Sequence, residues 1–276
     1  MESKTWFITG TSTGFGRALT EALLARGDRV AAALRRPAAL DDLAIEYGDL
    51  LWRAELDVSR PEQVRRVVDD AFAALGRIDV VVSNAGYSLV GAAEEPTDEQ
   101  VERQLDTNVL GSMTLARAAL PHLRRQGGGH LVQFSSIGGQ AAFPFVGIYN
   151  ATKWAVEGFY EALAQEVAGL GIATTLVEPG GFRTDANNRS VDAAAALPAY
   201  AELRDQVLRQ FSEPMGDPAK LAAAVIAAAD MAQPPRRLLL GSDAYETVHA
   251  ALTARLGEVE AQRDSASTTD HTVVTA

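Results

Sequence analysis

Thr9-Gly10-Thr11-Ser12-Thr13-Gly14-Phe15-Gly16 follows an apolar run at 5–9 and leads into a helix-favouring stretch at 16–26. A glycine-rich turn between a strand and a helix is where a phosphate-cradling loop belongs. Small residues let the backbone approach a pyrophosphate, and the helix N-terminus offers unpaired N–H groups and a favourable dipole. Gly10, Thr11, Ser12, Gly14, Phe15 and Gly16 are therefore candidate cofactor-binding residues. The stretch Gly10-Thr11-Ser12-Thr13-Gly14 also matches the G-x-S-x-G nucleophile elbow of serine hydrolases. That elbow needs an oxyanion loop upstream, and only nine residues precede Gly10.

Outward from this loop, short apolar runs alternate with longer helical stretches. Residues 5–9, 29–34, 51–56, 78–83, 130–135, 173–177 and 237–240 read as strands, and 16–26, 61–75, 98–124, 149–168 and 218–231 as helices. The runs at 30–34 and 80–82 are almost continuously apolar, as strands of a parallel sheet covered on both faces must be. The pattern predicts an α/β fold: a Rossmann-like, doubly wound parallel sheet of seven strands in a single domain over 1–262. Residues 185–216 break the rhythm as an insertion of the kind that covers a substrate, and the Ser/Thr-rich tail 263–276 is expected to be disordered.

Composition excludes whole classes of function. The 276 residues contain no cysteine, so disulfides, thiolate metal sites and Cys nucleophiles are ruled out, and the four histidines lack ligand spacing. The longest candidate span, 221–229, is half of the roughly 18 apolar residues a membrane helix needs. No signal peptide is legible at the start, which places the chain in the cytoplasm as an expectation. A net charge of −11 opposes nucleic-acid binding. Only three of the 25 cationic residues are lysines: Lys4, Lys153 and Lys220.

One of those lysines falls in Tyr149-Asn150-Ala151-Thr152-Lys153, whose i, i+4 spacing puts a phenol and an ammonium on one helical face. A nearby cation favours a phenolate, and bringing a phenol from about 10 to about 7 takes roughly 4 kcal/mol. Lysine, unlike arginine, has a proton affinity that its surroundings can tune. Ser135-Ser136 closes the preceding strand at the carboxyl edge, where open α/β sheets bind ligands. Taken alone, the pair also fits an interfacial tyrosine beside a lysine that reaches to water.

Together these residues resemble the classical subgroup of the short-chain dehydrogenase/reductase family, over about 4–184. The resemblance rests on Gly10, Gly14 and Gly16; Asp57-Val58 after the third strand; Asn84-Ala85-Gly86 after the fourth; Asn108; Ser136, Tyr149 and Lys153; and Pro179-Gly180 with Phe182 and Thr184. It implies that Tyr149 exchanges a proton with the substrate oxygen during hydride transfer. Lys153 would lower the tyrosine's pKa and hold the nicotinamide ribose, Ser136 would bind the carbonyl oxygen, and Asn108 would position a water relay. Asp57 and Val58 would contact adenine; Asn84, Ala85, Gly86, Pro179, Gly180, Phe182 and Thr184 would line the cofactor. The resemblance also implies a homodimer or homotetramer through the helices at 98–124 and 149–168. Read residue by residue, Asn84, Gly86 and Asn108 could instead satisfy turns, and Asp57 could cap a helix.

The second strand ends in Ala33-Leu34-Arg35-Arg36-Pro37, with no carboxylate until Asp41. An acid there would select NAD, whereas two guanidiniums suit a 2′-phosphate. NADP(H) is therefore the expected cofactor, with NAD(H) the alternative. By association with NADP usage, the expected activity is reduction of a small-molecule ketone to a secondary alcohol. Phe143, Pro144, Phe145, Val146, Tyr87, Leu89, Leu197, Tyr200 and Phe211 suggest an apolar cleft for a hydrophobic or aromatic substrate, although they could equally be core. The rival readings are alcohol or hydroxysteroid oxidation, a sugar-nucleotide epimerase, and a non-catalytic NADP sensor.

Overall fold

A computed structural model describes residues 3–182, 190–210 and 216–269. In chain order the elements are β1 (Thr5–Thr9), α1 (Gly14–Arg26), β2 (Arg29–Leu34), α2 (Asp41–Tyr47), β3 (Leu51–Glu55), α3 (Pro61–Leu75), β4 (Val80–Ser83) and β5 (Ser88–Val90). There follow α4 (Asp98–Leu105), α5 (Ser112–Arg125), β6 (Gly129–Phe134), α6 (Gly147–Val167), β7 (Ile172–Pro179), β8 (Val191–Ala193) and α7 (Ala201–Gln210). The last are α8 (Pro218–Asp230), β9 (Arg237–Leu240), α9 (Ser242–Glu260) and α10 (Arg263–Ser267).

Seven strands form one sheet in the order β3-β2-β1-β4-β6-β7-β9, and every pairing is parallel. The chain winds outward from β1 to one edge and then from β4 to the other. The β1/β4 boundary is thus the switch point, at whose carboxyl side a crevice opens. Alternation along the strands feeds two cores. Phe7 and Val81 join the side packed by α3, α5 and α6, while Trp6, Ile8, Val80 and Val82 join the side packed by α1 and α8. Each large side chain removed from water in this way contributes about 1.5–3 kcal/mol.

Local signals set several boundaries. Gly27, at φ 89, ends α1 and donates back to Leu23 and Leu24, Pro61 starts α3, and Thr97 with Gln100 forms a capping box on α4. The helix expected over 98–124 is interrupted by a π turn at Asp106–Gly111. A π turn admits one extra residue per turn, and here it rotates Asn108 inward while Gly111 passes close to β3's exit. A Cβ on Gly111 would sit 2.9 Å from the Val58 carbonyl oxygen.

Two helices, α2 and α9, occupy stretches without an assigned element in the sequence reading. The insertion proves structured where described: β8 pairs with β5 as a second small sheet, and α7 follows. The tail expected to be disordered begins with the α10 turn, and 270–276 lie outside the described residues. Among the described residues no helix is long and apolar enough to cross a membrane.

Candidate active site

The glycine loop is held by contacts that leave no room for a side chain at Gly10 or Gly16. Gly10 has φ +74, and a Cβ there would meet the Ala85 Cα at 2.9 Å; a Cβ on Gly16 would lie 2.4 Å from the Gly10 carbonyl oxygen. Asn84 stitches the end of β4 to the loop, donating from Nδ2 to the carbonyls of Thr9 (2.9 Å) and Gly10 (3.1 Å). The Thr9 hydroxyl accepts from the backbone N–H groups of Asn84 and Ala85, each at 3.1 Å. Asn84 and Ala85 thus shape the cradle from beneath.

The start of α1 has no side-chain cap and no acidic residue in its first turn. Its free N–H groups and positive end suit an anion. Thr11 is fully buried with its hydroxyl unpartnered, and Ser12 is exposed on the loop. The hydrolase reading fails here: His122 pairs with Asp69, His130 with Thr175, and His249 stacks on Tyr245, so none of these serves Ser12.

Arg35 and Arg36 emerge exposed beyond β2, and no ion pair engages either among the described residues. The carboxylates that follow are already used. Asp41 pairs with Arg53 at 2.5 Å, and Asp42 with Arg17. Asp57 accepts from the backbone N–H (3.0 Å) and hydroxyl (2.7 Å) of Ser59, which is a turn-capping role, and Val58 is buried next to it. On the other side of the crevice Phe15 stacks on Phe134 and meets Phe182 edge-on at 5.4 Å. Gly180 and Gly181 follow Pro179 and are held by Asp243 at the start of α9, whose carboxylate accepts from the Gly181 N–H at 2.6 Å. Asp243 went unrecognised in the sequence because it lies 62 residues from its partner. Thr184 lies outside the described residues.

The structure brings Ser136, Tyr149 and Lys153 together. Ser136 follows β6, its hydroxyl oriented by accepting from the Gly138 N–H at 3.0 Å. Gly138 fits between these two side chains: a Cβ would stand 3.4 Å from both Ser136 Oγ and Tyr149 Cε1. Lys153 Nζ lies 5.5 Å from the centre of the Tyr149 ring and donates to the Phe134 carbonyl at 2.9 Å. Burial lowers Lys153 to about 8, and nearby Glu157 opposes that shift.

One expectation needs correcting. Tyr149 is raised, not lowered: burial pushes the phenol up, and a hydrogen bond with Ser136 opposes it only in part. The Asn108 side chain is already committed. Its Nδ2 donates to the Tyr87 carbonyl (2.9 Å) and the Thr152 hydroxyl (3.1 Å), and its Oδ1 accepts from the Tyr87 N–H (3.1 Å). Gly86 packs on this amide, where a Cβ would approach Oδ1 to 3.2 Å. Thr152 in turn donates to the Tyr149 carbonyl at 2.7 Å, so Asn108 braces the helix that carries the tyrosine.

The apolar cleft is smaller than the sequence suggested. Leu89 is buried, and Phe145 with Val207 and Ala92 forms a small core beneath the insertion, joined by Val90 and Tyr200. Phe143, Val146 and Tyr87 remain partly open, and Phe211 lies outside the described residues. Glu95 anchors the insertion. Its fully buried carboxylate accepts from Arg204 at 2.6 and 2.7 Å, from the Leu197 N–H at 2.7 Å and from the Ala92 N–H at 2.6 Å. Hydrogen bonds from Arg204 lead the causes that hold Glu95 down at about 2.

Glu95→Gln keeps the shape of this anchor and removes its charge. Hydrogen exchange over 190–210 is expected to accelerate about tenfold, with the central sheet unchanged. Because the folded carboxyl titrates below its unfolded value, the anchor's stabilisation is present above about 4.5 and is lost as pH falls through about 2. Protection of 190–210 in the wild type should therefore persist at pH 4.

Residues 4–195 match the family model described as short chain dehydrogenase. Among named proteins, the chain is 38% identical over 249 residues to oxidoreductase BOA17 of Botryotinia fuckeliana, covering 88% of this chain and 91% of that one. It is 35% identical over 246 residues to a 3-ketodihydrosphingosine reductase of Bacteroides thetaiotaomicron, covering 87% and 89%. A short-chain dehydrogenase structure from Streptomyces avermitilis superposes with a TM-score of 0.92 at 40% identity, covering 98% of this chain and all of that one. Similar structures hold either dinucleotide. One from Burkholderia phymatum contains NAD (TM-score 0.80, 25% identity, 95% of both chains), and ElxO contains NADP (0.73, 26%, 87% and 97%).

Proposed function

The chain belongs to the short-chain dehydrogenase family and is an NAD(P)-dependent oxidoreductase, and we propose that it reduces a hydrophobic ketone to a secondary alcohol with NADPH. The observation that carries the cofactor choice is the Arg35–Arg36 couple, engaged in no ion pair among the described residues, at a β2 exit after which the next carboxylates in sequence, Asp41 and Asp42, are bound to other arginines. Two planar guanidiniums free to pair with a 2′-phosphate favour NADP(H). The cradle, with no room for a Cβ at Gly10 or Gly16, and the uncapped start of α1 fit the pyrophosphate.

When bound, the nicotinamide supplies the hydride. Ser136 donates to the substrate carbonyl oxygen and fixes its position. Tyr149 rests protonated at neutral pH because burial raises it, and it donates its proton as charge grows on that oxygen. Lys153, with its cation 5.5 Å from the ring, stabilises the phenolate left behind. The apolar rim at Phe143, Val146 and Tyr87 and the likeness to a 3-ketodihydrosphingosine reductase favour a hydrophobic substrate. The same reading gives a homo-oligomer through the helices at 98–124 and 149–168, where Leu110 of the π turn and Trp154 of α6 are exposed.

The test is cofactor consumption over a panel of ketones graded by size and polarity, comparing wild type with an Arg35→Ala/Arg36→Ala double variant. NADPH should be preferred by wild type, with turnover rising with the apolar size of the ketone. The double variant should lose about 10- to 100-fold in NADPH/NADH preference, corresponding to about 1.4–2.7 kcal/mol. An unchanged ratio, or no ketone consumed, would overturn the reading.

A further inference from the structure

Tyr149, Lys153, Glu157 and Glu161 recur at intervals of four along α6, so the helical face that carries the phenol and ammonium continues into two carboxylates. Glu157 is 5% exposed, and next to it Glu178 of β7 is 1% exposed. Buried carboxylates this close are rare unless paired, and these share the same partners. Arg237 of β9 reaches Glu157 Oε2 at 2.9 Å and Glu178 Oε1 at 3.0 Å, and it extends to the exposed Glu161 at 2.5 Å. Gln140 Nε2 donates to the same two oxygens at 3.2 Å each, while its carbonyl accepts from Arg255 of α9. The remaining oxygens, Glu157 Oε1 and Glu178 Oε2, are buried without partners.

Two ionised carboxylates are acceptors only, so this arrangement is under-supplied with protons: one guanidinium serves three carboxylates. A proton on Glu178 would supply the missing donor. Burial first and the Glu157 charge second raise Glu178, and a hydrogen bond with Glu157 favours its protonated form.

The pair is built into the active-site elements. A Cβ on Gly139 would stand 2.9 Å from Glu157 Cγ and 2.8 Å from Ser135 Oγ, so only glycine there lets the carboxylate side chain fit against the turn that carries Ser136. The charged and titratable groups facing the pair are Lys153 and Glu161 on its own helix, Arg237 on β9 and, through Gln140, Arg255 on α9. The neutral groups are Ser135, Gln140 and, one turn beyond Lys153, Tyr149.

We propose that Glu157, sharing a proton with Glu178, is a positioning residue that sets the charge on Lys153 and through it the pH range over which Tyr149 can act. When the pair loses its proton as pH rises, the added negative charge holds the Lys153 ammonium in place. The cation beside Tyr149 then survives to higher pH than burial alone would allow. The inference rests on the reading of Tyr149 and Lys153 as the proton-transfer group, and it adds a source of control behind them.

The presence of only three lysines makes a direct test practicable. Lysine side-chain ¹³C NMR of the full chain, assigned with Lys4→Arg and Lys220→Arg, reports Lys153 without any substrate. In wild type its signal should move in two steps: a small one as the carboxyl pair deprotonates and a large one as Lys153 does. Glu157→Gln should lower the large step by about one pH unit, and Glu157→Asp should restore most of it. Glu178→Gln should abolish the small step. An unshifted large step in Glu157→Gln overturns the proposal. Should that variant not fold, a single-step wild-type curve, or a small step that persists in Glu178→Gln, does so instead. Turnover separates this inference from the reading beneath it. The alkaline limb of kcat/KM should follow the Lys153 midpoint, and an immobile limb refutes the control while sparing the reductase. A shifted Lys153 in a protein that turns over no ketone refutes only the reductase.

Discussion

Tyr149→Phe should lower turnover about 10³-fold while leaving dinucleotide binding intact. The phenyl ring keeps the packing against Gly138 and the 5.5 Å approach to Lys153, so the substitution removes one hydroxyl and little else. Positioned proton transfer contributes about 10²–10⁴-fold, and no other described acid is placed to take over: Ser136 is not acidic enough, and Lys153 donates to the Phe134 carbonyl. Single-turnover rates give the loss, and fluorescence of bound NADPH gives the affinity. A loss smaller than tenfold would remove Tyr149 as the proton donor.

Gly16→Ala should cost about 100-fold in dinucleotide affinity, or about 2.7 kcal/mol. The new methyl would stand 2.4 Å from the Gly10 carbonyl oxygen and 2.5 Å from Asn84 Nδ2. The oxygen belongs to the backbone, so the loop itself must move, and overpacking of this kind costs about 1–3 kcal/mol of stability. The loop carries the N–H groups that would face the pyrophosphate, so binding suffers along with folding. Gly158→Ala is the internal control. Nothing lies within 4 Å of its added Cβ on the exposed face of α6, and it should stabilise the helix by about 0.5–1 kcal/mol. Calorimetric titration and thermal unfolding of both variants check this; equal binding by Gly16→Ala and wild type would mean that the cradle does not hold the phosphates.

The features legible in the sequence are those that act locally. The apolar runs at 30–34 and 80–82 announced their strands because a sheet covered on both faces favours apolar residues on both sides, and the Tyr149–Lys153 spacing announced a shared helical face because four residues complete about one turn. The boundaries moved by a residue or two: α6 begins at Gly147, and β7 runs from Ile172 to Pro179. The π turn was invisible because it depends on Asn108 finding the Tyr87 backbone and Thr152 hydroxyl, contacts that exist only after folding. The direction of the Tyr149 shift was misread for a related reason. A cation four residues away can be counted in a sequence, whereas the burial that outweighs it cannot. Glu157 was readable as the next step of the same i, i+4 series; Glu178 and Arg237 join it only because β7 and β9 are neighbours in the sheet.

Because all seven strands run the same way, the two rims of the sheet have separate duties. Gly10, Asn84, Ser136 and Gly180 all leave the carboxyl ends, while the opposite rim carries Lys4, Asp79, Gly128 and Gly171, tied to one another or to neighbouring elements. For anyone fixing this protein to a bead or an electrode, the second rim is the side to attach. A tether there leaves the mouth of the crevice facing the bulk liquid, where substrate and dinucleotide can still come and go.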